Sequence, residues 1–165
     1  MKIVLRLVLL AAVIVAGFWL WAILFPSPEA IIRKRLAAVA ADTSFSANQN
    51  PLVAASRAET LASFFATNVE VDLDVPGHFE HSFASRAEIE QAAIAAHSAV
   101  GGLKVEFLDA NVAVGADKLS ATADLTVRAQ AVGDNDFVVQ ELQFTFRKIG
   151  GEWLITRVET VRTLT

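Results

Sequence analysis

From Leu7 to Phe25 the chain runs for 19 residues without a charge or a proline, and beyond Pro26 its apolar positions fall into short periodic groups. A helix of that length reaches roughly 29 Å, about the thickness of a bilayer's hydrocarbon core. Lys2 and Arg6 precede the stretch, and Pro26 and Pro28 stop it. Trp19 and Trp21 stand near its far end, where indole rings favour the headgroup layer. The pattern predicts a single transmembrane helix, with residues 1–25 as a membrane anchor and 26–165 as one soluble domain. A cleaved secretory signal is the competing expectation, but its apolar core is about 7 to 15 residues and ends in small residues at the cleavage site. Here the exit reads Trp21-Ala22-Ile23-Leu24-Phe25-Pro26. The positive-inside rule is nearly balanced, since Lys2 and Arg6 face Arg33, Lys34 and Arg35 across the stretch. The short tail favours one pass through the cytoplasmic (inner) membrane, with the domain on the extracytoplasmic side.

After Ser27 as N-cap and Pro28 at the first helical position, Ile32, Leu36 and Val39 recur at helical spacing to about Asp42. Asn50 and Pro51 repeat the signal, and Leu61, Phe64 and Phe65 form an i, i+3, i+4 stripe on a second helix ending near Thr67. The period then becomes two: Val69, Val71, Leu73 and Val75 alternate with Glu70, Asp72 and Asp74 up to a Pro76-Gly77 turn. Phe79, His81 and Phe83 share a face of a short second strand. Ser85-Arg86-Ala87-Glu88 is a capping box, opening a third helix that Gly101-Gly102 ends. Four further strands follow: 103–114, 119–131, 137–149 and 152–164. In the first, the apolar phase moves from odd positions (Leu103, Val105, Phe107) to even ones (Leu108, Val112, Val114), which predicts a β-bulge near Phe107 to Asp109.

This order is α+β, with three helices in the N-terminal half packed on a strongly curved antiparallel sheet. The two leading helices, the 69–83 hairpin, the capped helix at Ser85 and the ending Phe144-Thr145-Phe146-Arg147-Lys148-Ile149-Gly150-Gly151-Glu152-Trp153-Leu154-Ile155-Thr156-Arg157-Val158-Glu159 resemble the NTF2-like (SnoaL-like) superfamily. The resemblance covers about residues 29–165 and implies a cone closed by helices with an inner pocket. It implies little about activity, because the superfamily includes isomerases, dehydratases, polyketide cyclases, transport adaptors and secretion-system scaffolds.

Composition narrows the function classes. Beyond residue 25 lie all 18 acidic residues and 12 of the 14 lysines and arginines, a formal charge of −6. An acidic domain with no basic stripe does not attract phosphate backbones, so nucleic acid is not an expected partner. With no cysteine the chain needs no disulfide. There is also no tyrosine, which removes the oxyanion donors that the ketosteroid isomerase-like members of the resembled superfamily use.

The pocket expected from the resemblance would be lined by Phe64, Phe65, His81, His97, Phe107, Arg157 and Glu159. His81 and His97 are the candidates for acid–base chemistry, although a histidine at the edge of an apolar stripe is commonly a structural residue. Arg157 and Glu159 continue the Trp153/Ile155 row, as a paired floor of the pocket or as a strand leaving the core. His78-Phe79-Glu80-His81 does not make a metal site, because strand positions three apart point to opposite faces, and no motif requires a cofactor. Ser120, Thr122, Asp124, Thr126 and Arg128 give one strand a fully polar side, next to Glu141, Gln143, Thr145 and Arg147. That side is a solvated sheet surface or a homodimer face, the latter built on Thr122, Asp124, Thr126, Arg128, Gln143 and Thr145. The expectation is therefore a membrane-tethered binding or scaffold module for an unknown protein or small apolar ligand. The alternative is an isomerase- or dehydratase-type enzyme acting through inward histidines.

Overall fold

The computed structural model describes residues 26–46, 49–75 and 79–161, together with positions 12, 14 and 15. The Leu7 to Phe25 stretch otherwise lies outside the described residues, as do His78 and residues 162–165. Among the described residues no helix is long and apolar enough to cross a membrane.

Helix α1 (Pro28–Thr43) begins where Ser27 Oγ accepts from the Ala30 N–H at 3.3 Å, and buries Ile32, Leu36 and Val39. Helix α2 (Pro51–Ser63) begins at Asn50, whose side chain accepts from the Leu52 N–H at 2.9 Å. Strands β1 (Phe65–Val75) and β2 (Phe79–Phe83) form a hairpin, followed by α3 (Arg86–Ala99). The Ser85 box forms as read, with one difference of detail. Ser85 Oγ accepts from the Glu88 N–H, while the Glu88 carboxylate accepts from Ala84, one residue before the cap. Strands β3 (Leu103–Val114), β4 (Ser120–Ala131), β5 (Val138–Ile149) and β6 (Glu152–Thr160) complete the chain. Gly150 and Gly151, at φ 61° and 91°, make the two-residue β5–β6 turn, which needs positive φ at both places.

The six strands lie in the order β2-β1-β6-β5-β4-β3. The sheet is mixed, which corrects the antiparallel expectation: β6 pairs with β1 in parallel and with β5 antiparallel. Helix α2 is shorter than its stripe implies, since Phe64 is its C-cap and Phe65 opens β1. A short apolar cluster satisfies helix and strand periodicity equally, and here the strand takes it.

One extra residue in β3 interrupts the pairing with β4 between Leu108 and Asn111, where Asp109 sits at φ 52°. This is the expected bulge, one position further along. Arg33 of α1 donates to the Ala110 carbonyl there at 2.5 Å. Strand β6 carries a second bulge at Thr156, because Phe146 pairs with Ile155 and Thr145 with Arg157. The two bulges curve the sheet. On its concave face Ala123, Phe144, Phe146, Ile155 and Val158 join Ile32, Leu36, Leu61 and Ile89 of the helices in one core.

Candidate functional site: an apolar cavity under the helices

The core stops short of one end of the cone. A cavity of about 760 Å³ lies between α3, the last turn of α1 and the concave face of the sheet. Its wall is largely apolar: Ala92, Ala93 and Ala96 from α3, Val105 and Phe107 from β3, Val127 and Ala129 from β4, and Leu142 and Phe144 from β5. The small alanines of α3 leave the space open, and the phenylalanines give it an aromatic lining. Phe107 and Phe144 meet with ring centroids 5.7 Å apart.

The segment between α1 and α2 is mostly polar, yet its start is a wall of the cavity. Phe45 exchanges two backbone hydrogen bonds of 2.8 Å with Leu103, and Ser44 Oγ accepts from the Val105 N–H at 2.9 Å. Phe45 is therefore buried, 7% exposed, and lines the cavity. The only sequence signal for it is a lone large apolar side chain in a polar run.

His97, in the last turn of α3, packs against Phe45 with ring centroids 3.9 Å apart and the rings tilted by 36°. Its pKa lies below the ordinary 6.5, first because burial penalises the imidazolium and second because the Arg57 guanidinium repels it. The neutral imidazole is therefore favoured beyond what an ordinary histidine shows. Among the described residues no carboxylate hydrogen-bonds to it, so no partner fixes its tautomer or stabilises a proton on it. His81 reaches the same cavity from β2, opposite Leu73 on β1, with its ring 6.1 Å from that of Phe83.

Of the pocket residues expected from sequence, Phe65, His81, His97 and Phe107 line this cavity. Phe64, Arg157 and Glu159 do not. Phe64 sits at the end of α2 with the Arg35 guanidinium 5.5 Å from its ring centroid. Arg157 and Glu159 stand on the convex face, because the Thr156 bulge moves the inward phase to Val158. There Arg157 contacts Glu70 at 3.3 Å and Glu159 at 3.1 Å. Asp42, Phe45, Gln130, Phe137 and Gln140 line the cavity without having been singled out in the sequence.

The residues of the expected dimer face share the convex side. Thr122 pairs with Thr145 and Asp124 with Gln143, whose amide donates to the Asp124 carboxylate at 2.7 Å. Thr126 pairs with Glu141, and Arg128 lies 4.0 Å from Glu106 and 4.4 Å from the Phe137 ring centroid.

No protein-family model matches the sequence, and no curated protein matches it. Solved structures do. An NTF2-like protein with a cystatin-like fold from Novosphingobium aromaticivorans is 24% identical, with a TM-score of 0.57 over 79% of this chain and 78% of that one. A candidate scytalone dehydratase from the same organism is 14% identical, with a TM-score of 0.54 over 80% and 83%. The yeast UBP3-associated protein BRE5 is 14% identical, with a TM-score of 0.60 over 84% and 100%. Three helices on the concave face of a curved mixed sheet, and these likenesses, show that the domain has the NTF2-like, cystatin-like fold.

Proposed function

We propose that the chain is a membrane-tethered binding module whose cavity takes a small apolar ligand without transforming it. The observation that carries this reading is the cavity itself: about 760 Å³, lined mainly by alanine, valine, leucine and phenylalanine. That is the size and chemistry of a small-molecule site. The tether rests on the 19-residue apolar stretch. Its described positions Ala12, Ile14 and Val15 are helical. A single pass through the cytoplasmic membrane, the domain outside, is the proposed placement. The convex face, with Thr122, Asp124, Thr126, Arg128, Gln143 and Thr145, is the proposed homodimer surface. Unlike the concave face, it carries no helix among the described residues.

A second reading, an isomerase- or dehydratase-type enzyme, is favoured by one observation: His81 and His97 line the same cavity. The solved relatives support both readings, since one is a candidate dehydratase and another is named for its association with a second protein.

The test uses the full chain in phosphatidylcholine nanodiscs and an uncharged aromatic alcohol, naphthol, titrated by calorimetry against empty nanodiscs. Wild type binds, and Ala96→Trp, which fills the cavity from α3, does not. Wild type that binds no more than empty nanodiscs overturns the reading. Turnover of a hydroxylated aromatic substrate that is lost in both His81→Ala and His97→Ala replaces it with the enzyme.

A further inference from the structure

The two ends of the cone differ in charge and in what builds them. Helix α1 runs along β3, with Ser44 beside Val105 and Arg33 beside Ala110, so its N-terminus points to the end of the sheet that carries the β3–β4 and β5–β6 turns. The Arg35 guanidinium, 3.8 Å from Glu152, joins α1 to the β5–β6 turn, and the Lys148 N–H donates to the Leu119 carbonyl at 2.8 Å, joining the two turns. The cavity lies toward the opposite end, where the β4–β5 turn contributes Asp134, Asp136 and Phe137 to its wall. Strand β4, 12 residues long, sets these ends roughly 36 Å apart.

Segments 26–35, 109–120 and 147–152 form the α1 end. They hold six of the 12 lysines and arginines beyond residue 25: Arg33, Lys34, Arg35, Lys118, Arg147 and Lys148. They hold only four of the 18 acidic residues, Glu29, Asp109, Asp117 and Glu152. This end is therefore +2, and the remaining six cations and 14 acids leave the rest of the domain at −8. Two of the four acids are already engaged. Glu152 faces Arg35, and Asp117 accepts from the Leu119 and Ser120 N–H groups at 2.9 and 3.0 Å to close the β3–β4 turn. Lys34, Lys118 and Lys148 are exposed and, among the described residues, make no ion pair. Beside the last two, Leu119 and Ile149 at the turns are 56% and 47% exposed.

The apolar stretch of the proposed tether ends at Phe25, and only Pro26 and Ser27 separate it from Pro28. Two residues span at most about 7 Å, so the tether brings this end of the domain, and not the cavity end, to the lipid. Side chains on a helix tilt toward its N-terminus, which turns Lys34 toward the headgroups. We propose that this end of the cone docks on an anionic lipid surface, with Lys34, Lys118 and Lys148 pairing with lipid phosphates and Leu119 and Ile149 entering the headgroup layer. The docked domain holds its cavity away from the bilayer, and a ligand reaches it from the aqueous phase. The inference rests on the tether and adds the orientation of the domain on the membrane.

The experiment places one nitroxide on the full chain, which has no cysteine of its own. The label sits in Leu119→Cys or, at the far end, in Val132→Cys, a position 58% exposed. Each is reconstituted in nanodiscs of phosphatidylcholine alone or mixed equally with phosphatidylglycerol. Collision with oxygen, which concentrates in lipid, against collision with a water-soluble nickel chelate reports the depth of the label. With phosphatidylglycerol the label at position 119 lies in the headgroup layer and the label at position 132 in water. In phosphatidylcholine alone, or in raised salt, the label at position 119 returns to water. The triple variant Lys34→Gln, Lys118→Gln, Lys148→Gln lowers the ratio of docked to free domain on the order of 100-fold, about fivefold per lysine. A chain that alkaline carbonate strips from phosphatidylglycerol vesicles overturns the tether and this inference with it. A chain that stays, with the label at position 119 in water in both lipids, overturns the docking and leaves the tether. A label at position 132 in the bilayer overturns the orientation. Equal depth at position 119 in both lipids, or docking that survives in the triple variant, overturns the assignment to these lysines.

Discussion

Trp153 gives the sharpest measure of where the core is solid and where it is open. It is 3% exposed and belongs to the cluster that includes Ile32, Leu36 and Phe146, at the filled end of the cone. Replacing it with alanine removes an indole from between a sheet whose backbone is pinned by β5 and a helix capped at both ends, so neither wall collapses into the gap. The expected loss is about 3–5 kcal/mol, the transfer term plus the cavity left behind. A domain of about 135 residues unfolds with roughly 0.28 kcal/mol/K of entropy, so Tm falls by roughly 11–18 °C. Far-UV circular dichroism of the full chain in nanodiscs is the readout, because Trp19 and Trp21 would still contribute to fluorescence. Val139→Ala, at a position 51% exposed on the convex face, is the control and shifts Tm by no more than about 2 °C, as surface changes usually do. A Trp153→Ala shift as small as the control's would show that this end of the cone is not packed, and the reasoning would be wrong.

Three further outcomes follow from particular residues. Asp109→Val places a β-branched side chain at φ 52° and costs about 1–3 kcal/mol by denaturant titration, whereas Asp109→Gly is neutral or stabilising; equal effects would remove the bulge's role. Arg157→Ala costs under about 1 kcal/mol, because its pairs with Glu70 and Glu159 are half exposed; a loss of several kcal/mol would instead mark a buried pair. The lowered pKa of His97 means that the unfolded chain takes up its proton first as pH falls below about 6.5. Wild type therefore loses stability relative to His97→Gln between pH 7.5 and pH 5, and a gain would reverse the sign assigned to this histidine.

Local signals in the sequence carried far and distant ones did not. The caps at Ser27, Asn50 and Ser85 and the β3 bulge were legible because each depends on residues within a few positions of one another. The parallel pairing of β1 with β6 was not, since it joins residues as far apart as Glu70 and Arg157 and leaves no mark on either segment. The site shows both cases. His81 and His97 were visible as histidines at the edge of an apolar face, but the wall formed by Phe45 depends on a backbone bridge to Leu103 that no periodicity encodes. Of the two alternatives for Arg157 and Glu159, a pocket floor or a strand leaving the core, the sequence itself carries a signal that separates them. Trp153 and Ile155 are odd and Val158 is even, the same change of phase that announces the bulge in β3, and the rule applied to one strand applies to the other.

The position of β6 has a consequence for how the domain comes into being. It is the last of the six strands along the chain, yet it lies in the interior of the sheet, with the β1–β2 hairpin on one side and the β5–β4–β3 meander on the other. Until β6 leaves the ribosome those two parts have no shared strand, and Phe146 and Val69 lack the neighbours that bury them. Closure of the sheet therefore waits for β6, and a chain shortened within β6 leaves two open strand edges exposed to aggregation.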